Sequence, residues 1–133
     1  MKSTIKIIAT ITLVGAILII GYFSIYFFYA RDVENVKVKG YVIDKSTNIP
    51  IENVLVIITN ERYEDDKGNY NYDEYLGQDK AKVYTNKEGY YEAEFKKSSF
   101  VWIKFYNSKY VDFEEKGKYA KETLEFKTYL TKK

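Results

Sequence analysis

From residue 7 to residue 30 the chain runs for 24 residues without a charged side chain, and 13 of them are Ile, Leu, Val or Phe. Any fold must accommodate this segment first. At about 1.5 Å of rise per residue, such a helix is roughly 36 Å long, enough to cross a hydrocarbon core of about 30 Å with some tilt. Each Ile, Leu, Val or Phe contributes roughly −0.3 to −0.6 kcal/mol to insertion, so the run gains about −4 to −8 kcal/mol, against which Thr10, Thr12 and Ser24 weigh little. The pattern predicts a transmembrane helix over residues 7–30 behind a short tail of residues 1–6, with the lipid bilayer as its first partner.

A cleaved signal peptide is the competing reading. Its apolar region would span only about 7 to 15 residues and end at a small-x-small site. Here the run is longer and leaves the bilayer through Tyr22, Phe23, Tyr26, Phe27, Phe28 and Tyr29, rings that suit the membrane–water interface and offer a peptidase no small residue two positions before Ala30. A lipoprotein is excluded because its lipidation needs a cysteine and the chain has none. Lys2 and Lys6 precede the span without an acid, whereas Arg31 is followed at once by Asp32 and Glu34. This asymmetry predicts a cytoplasmic N-terminus, with residues 31–133 in the periplasm or outside the cell. Residues 31–35 leave only a short linker, so the domain that follows works near the membrane.

Residues 31–133 carry 19 basic and 19 acidic side chains, and the net charge of +2 comes from Lys2 and Lys6. A nucleic-acid partner asks for a basic face that neutralises several phosphates, which a balanced composition does not supply. The length allows one domain. With no cysteine it must be held by packing alone, without disulfides. Histidine is also absent, which removes the usual zinc ligands and the usual base of a Ser or Cys nucleophile. Carboxylate-only catalysis is the enzymatic option that remains, and no pair of acids stands out by spacing. The expectation is therefore a protein without catalytic residues, cofactor or metal.

From Val36 the apolar period becomes two, the mark of strands with one buried face. Residues 36–43 place Val36, Val38, Gly40 and Val42 on the core side. Residues 54–59 are apolar on both faces, as in a central strand. Residues 80–85 and 90–95, with Ala81, Val83, Tyr91, Ala93 and Phe95 inward, read as a hairpin through Asn86, Lys87, Glu88 and Gly89. Residues 100–106 bury Val101, Ile103 and Phe105 if Lys104 points out. Val111 and Phe113 mark a short strand, and residues 123–130 bury Leu124, Phe126 and Leu130. Seven short strands without helical period predict an all-β, antiparallel two-sheet sandwich of transthyretin or immunoglobulin type over residues 36–133.

The order of these pieces resembles the carboxypeptidase regulatory-like domain. The resemblance lies in the strand Val38-Lys39-Gly40-Tyr41-Val42-Ile43-Asp44, the Pro50-led second strand, the Thr85 turn closing on Gly89 and Tyr90, and the aromatic residues up to Tyr110. It implies a seven-stranded transthyretin-like sandwich, usually a noncatalytic appendage or binding module of bacterial envelope and secreted proteins, with no catalytic residues to carry across. A related catalytic branch, the transthyretin-like hydroxyisourate hydrolases, relies on histidines that this chain lacks. The sequence departs from the family pattern in a 20-residue insertion at 61–80.

Two groups of residues are candidates for binding. The insertion holds seven acids, three bases and the tyrosines Tyr63, Tyr70, Tyr72 and Tyr75, which can supply large amphipathic contacts at low entropic cost. Its composition favours a solvated or partly strand-forming excursion over a recognition loop. A calcium loop is disfavoured, because Gly68 follows Asp65 by three positions and not at the sixth. The second group is Phe100, Trp102 and Tyr106, which share the outward face with Lys104 and would form a contact patch. The average burial of tryptophan favours instead a slip at an edge or bulge that packs Trp102 inside. The functional expectation is a noncatalytic, membrane-anchored envelope module holding a protein partner. The alternatives are a carbohydrate-binding or adhesion module and an enzyme of carboxylate chemistry.

Overall fold

The computed structural model describes the whole chain except Ala30, Tyr72 and the side chain of Tyr29. The chain divides into two compact units, residues 1–31 and 32–133. The first is a single helix, α1 (Lys2–Tyr29), long and apolar enough to cross a membrane and with a mean hydropathy of 2.3. Thr10 and Thr12 return their hydroxyls to the helix's own carbonyls, Lys6 O at 2.8 Å and Ile8 O at 2.9 Å, so neither is left an unpaired donor on the apolar helix surface.

The second unit is a two-sheet sandwich of seven strands among the described residues: β1 (Val33–Asp44), β2 (Leu55–Arg62), β3 (Gly77–Tyr84), β4 (Tyr90–Ser98), β5 (Phe100–Tyr106), β6 (Phe113–Tyr119) and β7 (Thr123–Leu130). One sheet has the order β4-β1-β7 and the other β3-β2-β5-β6. The inner faces are those the alternation predicts: Val36, Val38 and Val42 from β1, Val56 and Ile58 from β2, Val101, Ile103 and Phe105 from β5, and Leu124, Phe126 and Leu130 from β7 are all buried. Tyr91 closes edge-on against Phe105 with ring centres 5.9 Å apart.

Three details differ from the sequence reading. The β1–β7 pair is parallel, while β1–β4, β2–β3, β2–β5 and β5–β6 are antiparallel. Period-two alternation reports which face is buried, not which neighbour a strand takes or in which direction. For the same reason β3 and β4 are not a hairpin. The Asn86–Gly89 turn forms as expected, with Gly89 at a φ of 71° and its N–H on Asn86 O, but it carries the chain from one sheet to the other. Finally, the strand marked by Val111 and Phe113 starts at Phe113 and runs on to Tyr119 through Glu114, Glu115, Lys116, Gly117 and Lys118, an edge strand whose charged residues hide its periodicity.

Candidate partner-binding face

The outward surfaces of the two sheets differ in layout. On the β4-β1-β7 sheet, lysines and glutamates alternate across strands and neutralise one another: Lys37 meets Glu92 at 3.5 Å and Lys39 meets Glu125 at 3.3 Å. Such exposed pairs hold little energy, and beyond them the same face presents Tyr41, Tyr90 and Tyr129. On the β3-β2-β5-β6 sheet the register sets out rows of a different kind: Leu55 with Tyr84 and Tyr106, Ile57 with Lys82 and Lys104, Thr59 with Lys80 and Trp102, and Glu61 with Gln78 and Phe100.

Trp102 lies on this outward face and is partly buried, so the expectation that it packs into the core is corrected. The irregularity invoked for it does exist, but on the partner strand. Between Val101 and Ile103 the pairing advances from Lys118 to Glu115, so the extra residue belongs to β6 and β5 keeps its phase. Trp102 is held in place by its Nε1–H, which donates to Glu61 Oε1 at 3.4 Å, and by Lys104 Nζ, 5.3 Å from its ring centre. Gln78 Nε2 donates to the same Glu61 oxygen at 2.9 Å.

The two sequence candidates turn out to be one surface. Tyr63 leaves β2 on the outward side and its ring centre lies 5.9 Å from Tyr70 and 5.0 Å from Tyr75; Tyr75 stacks on Phe100 at 6.5 Å, and Phe100 meets Tyr119 edge-on at 5.3 Å. The line of rings therefore crosses from the insertion to β6. Tyr75 is desolvated enough to push its phenol up to about 12, with Tyr63, Tyr119 and Glu61 adding to the effect. Tyr106 stands in the row of Leu55 and Tyr84, at the other end of the face. Tyr72 lies outside the described residues. Tyr119 and Gly117 escaped the sequence reading because they sit in a charged stretch. Gly117 is what admits the Phe100 ring: a Cβ there would collide with it.

The insertion itself is ordered by local bonds, and part of it is strand, since β2 and β3 pair as far as Arg62 and Gly77. Arg62, 8% exposed, is gripped by Asp79 through Nε at 2.7 Å, by Asp66 at 2.8 Å and by Glu64 O at 2.7 Å. Burial opposes its charge, and the bonds to Asp66 and Asp79 outweigh that penalty and raise its pKa. Asp65 turns its carboxylate to the backbone of Lys67 and Asn69 and to the Asn69 side chain. Asp32 accepts from Tyr63 N at 2.9 Å and Glu64 N at 3.2 Å, tying the start of the insertion to the start of the sandwich. Among the described residues no group of three His, Cys, Asp or Glu is arranged to hold a metal ion.

Neither a family model nor a curated protein sequence matches the chain. Among solved structures, it is similar to 3-chlorocatechol 1,2-dioxygenase from Rhodococcus opacus 1CP, with a TM-score of 0.52 and 14% identity over 77% of this chain and 62% of that one. A point mutant of Acinetobacter radioresistens catechol 1,2-dioxygenase gives 0.51 and 13% over 76% of this chain and 53% of that one. A streptococcal ancillary pilin gives 0.46 and 16% over 76% and 30%. The chain thus spans little more than half the length of the dioxygenases. At such identities the dioxygenase likeness establishes the β-sandwich fold alone.

Proposed function

We propose that this chain is a single-pass membrane protein whose sandwich, of the carboxypeptidase regulatory-like type, serves without catalysis as a binding module of the cell envelope and holds a protein partner on the β3-β2-β5-β6 face. The observation that supports the reading is the unbroken line of rings from Tyr63 through Tyr75 and Phe100 to Tyr119, with Trp102 beside it; the other sheet pairs Lys37 and Lys39 with glutamates and carries a smaller group of rings, Tyr41, Tyr90 and Tyr129. Aromatic residues concentrate binding energy at interfaces, and a patch of them outside a soluble body is uncommon unless something covers it. Carboxylate chemistry is less well supported. Asp44, Asp65 and Glu92 are all held below the ordinary carboxylate range, chiefly by bonds from Ser46, Asn69 and Tyr90 respectively, opposite to what a general acid needs.

The test is photo-crosslinking in intact cells. A photoreactive residue in place of Tyr106 is expected to trap a protein partner, and one in place of Glu94, on the other sheet, is not; equal capture from both positions, or none from Tyr106, rejects the reading. A carbohydrate-binding role has its own best location, a groove of about 560 Å³ beside Lys39, Tyr41, Tyr90, Glu125 and Lys127. There the Tyr41 and Tyr90 rings pack against each other at 5.2 Å with a tilt of 53° and do not flank the groove as coplanar platforms. A glycan array that lights up and goes dark with Tyr41→Ala would favour that role.

A further inference from the structure

We infer that the partner presents an acidic surface, carboxylates interspersed with apolar side chains, and that Lys80 and Lys82 select it. This rests on the protein-contact reading above and adds the chemistry of the occupant. On the opposite sheet Lys37 and Lys39 each have a glutamate. On the aromatic face Lys104 has Glu114 at 4.0 Å, and Glu61 is engaged by Gln78 and Trp102. Lys80 and Lys82 are exposed and have no acidic partner among the described residues. They stand in the same rows as Trp102 and Ile57, with Ala81 between them and Val83 after them turned to the core. The sandwich unit is charge-balanced as a whole, so this local excess is a matter of placement and not of composition. Cations left uncompensated beside half-buried apolar groups are complementary to a surface of the opposite sign, and such complementarity sets specificity and encounter rate.

A second copy of this chain fits less well. Two copies joined through these faces would bring together two surfaces of the same sign. Lys80 and Lys82 of one copy would then find no excess of acid on the other, whose own Lys80 and Lys82 are equally uncompensated. An anionic glycan would answer the charge, but the rings do not offer it open platforms. One side of Trp102 is occupied by Lys104, and Phe100 is taken up by Tyr75 and Tyr119. Lysines on the edge strand β3 also protect it from pairing with other chains. Reversal to glutamate preserves that protection while inverting the charge, so the two roles separate experimentally.

The experiment is selection of a displayed random peptide library on the full-length protein in zwitterionic detergent, with binding read by the fluorescence anisotropy of a dye on the selected peptide and, where the residue is kept, by the emission of Trp102, the chain's single tryptophan. The expected pool is enriched in Asp and Glu next to apolar residues. It should lose at least tenfold in affinity with Lys80→Glu/Lys82→Glu and with Trp102→Ala, and hold its affinity with the equally charged control Lys45→Glu/Lys87→Glu. Unchanged sedimentation of the lysine variants would show that β3 is still protected. A pool that depends on Trp102 but is neutral in composition and indifferent to Lys80→Glu/Lys82→Glu overturns this inference and leaves the protein-contact reading standing. If no peptide depends on Trp102 while polygalacturonate shifts its emission, both fall in favour of the glycan.

Discussion

At the scale of single residues, the sandwich is most sensitive where backbone and side chains meet at contact distance. A Cβ on Gly40 would come within 2.5 Å of the Tyr91 hydroxyl and 2.6 Å of the Phe126 carbonyl oxygen, and the latter is backbone that cannot step aside. Gly40→Ala is expected to cost about 1 to 3 kcal/mol, the usual range for overpacking, in chemical denaturation of the detergent-solubilised protein. Gly15→Ala, with nothing within 4 Å of the added carbon, is the contrasting case and should leave the sandwich transition where it is. A second residue-scale prediction concerns Asp44, which is 3% exposed. It accepts bonds from Ser46 N and Oγ, Thr47 N and the Tyr110 hydroxyl, and the Ser46 and Tyr110 hydroxyls foremost hold it well below the ordinary carboxylate range. A carboxyl depressed on folding stabilises the protein above its unfolded pKa, about 3.9, and loses that contribution as pH falls toward the folded value. Tyr110 has the opposite sign. Burial first, then the bond to Asp44, pushes it up to about 12, so its contribution is whole below about 10 and fades as pH rises toward that value. Stability measured against pH should therefore fall less steeply below pH 4 in Asp44→Asn than in the parent, and less steeply above pH 10 in Tyr110→Phe. Parallel curves for parent and variants would remove the pair from the account.

At the scale of elements, the aromatic face depends on a defect in β6. The extra residue opposite Trp102 leaves β5 in phase, and the bare Cα of Gly117 receives the Phe100 ring. Gly117→Ala should displace Phe100 from Tyr75 and Tyr119 without altering Trp102 itself. It is expected to reduce the near-ultraviolet circular dichroism of the tyrosines and to halve or more the crosslinking yield from Tyr106, while the far-ultraviolet spectrum stays that of a sandwich. Loss of the far-ultraviolet signal would mean that the bulge supports the fold and not the face. This element also marks the boundary of what the sequence makes legible. Where one face is buried, as in β1, β5 and β7, Val36, Val38, Val42, Ile103 and Leu124 announce both strand and side in a single chain of letters. Pairing is not written that way. Nothing local in Thr123 to Leu130 says that β7 lies parallel to β1, and the Asn86–Gly89 turn reads the same whether it joins neighbours or spans two sheets. β6 is the extreme case, an edge with one glycine and four charges over seven residues, whose strand state is enforced by β5 alone. The site was legible as two groups of rings. Their union was not, because it depends on how far β2 and β3 run before the insertion departs, to Arg62 and Gly77, where a Cβ on Gly77 would strike the Arg62 guanidinium carbon at 2.7 Å and the Glu64 carbonyl at 2.5 Å.

At the scale of the whole molecule, the question is whether helix and sandwich remain one chain in the cell, because a tethered module and a shed one meet different partners. The helix has the length of a span and exposes its apolar side chains along its whole course, as a segment solvated by lipid would. A signal peptidase requires small residues before the cut, and Phe28 and Tyr29 precede Ala30. Orientation depends on Lys2 and Lys6, since the sandwich side of the span carries basic and acidic residues together. From these features the full chain is expected to remain in the membrane pellet after carbonate washing, to give an intact mass that includes residues 1–30, and to place a reporter fused after Lys133 outside the cytoplasm. Lys2→Glu/Lys6→Glu should erode that orientation and send part of the reporter inside. The mass decides between anchor and signal independently of the reporter. A product beginning near residue 31 in the medium would make the sandwich a free module, whereas an intact mass with a cytoplasmic reporter would keep the anchor and turn the aromatic face toward cytoplasmic partners.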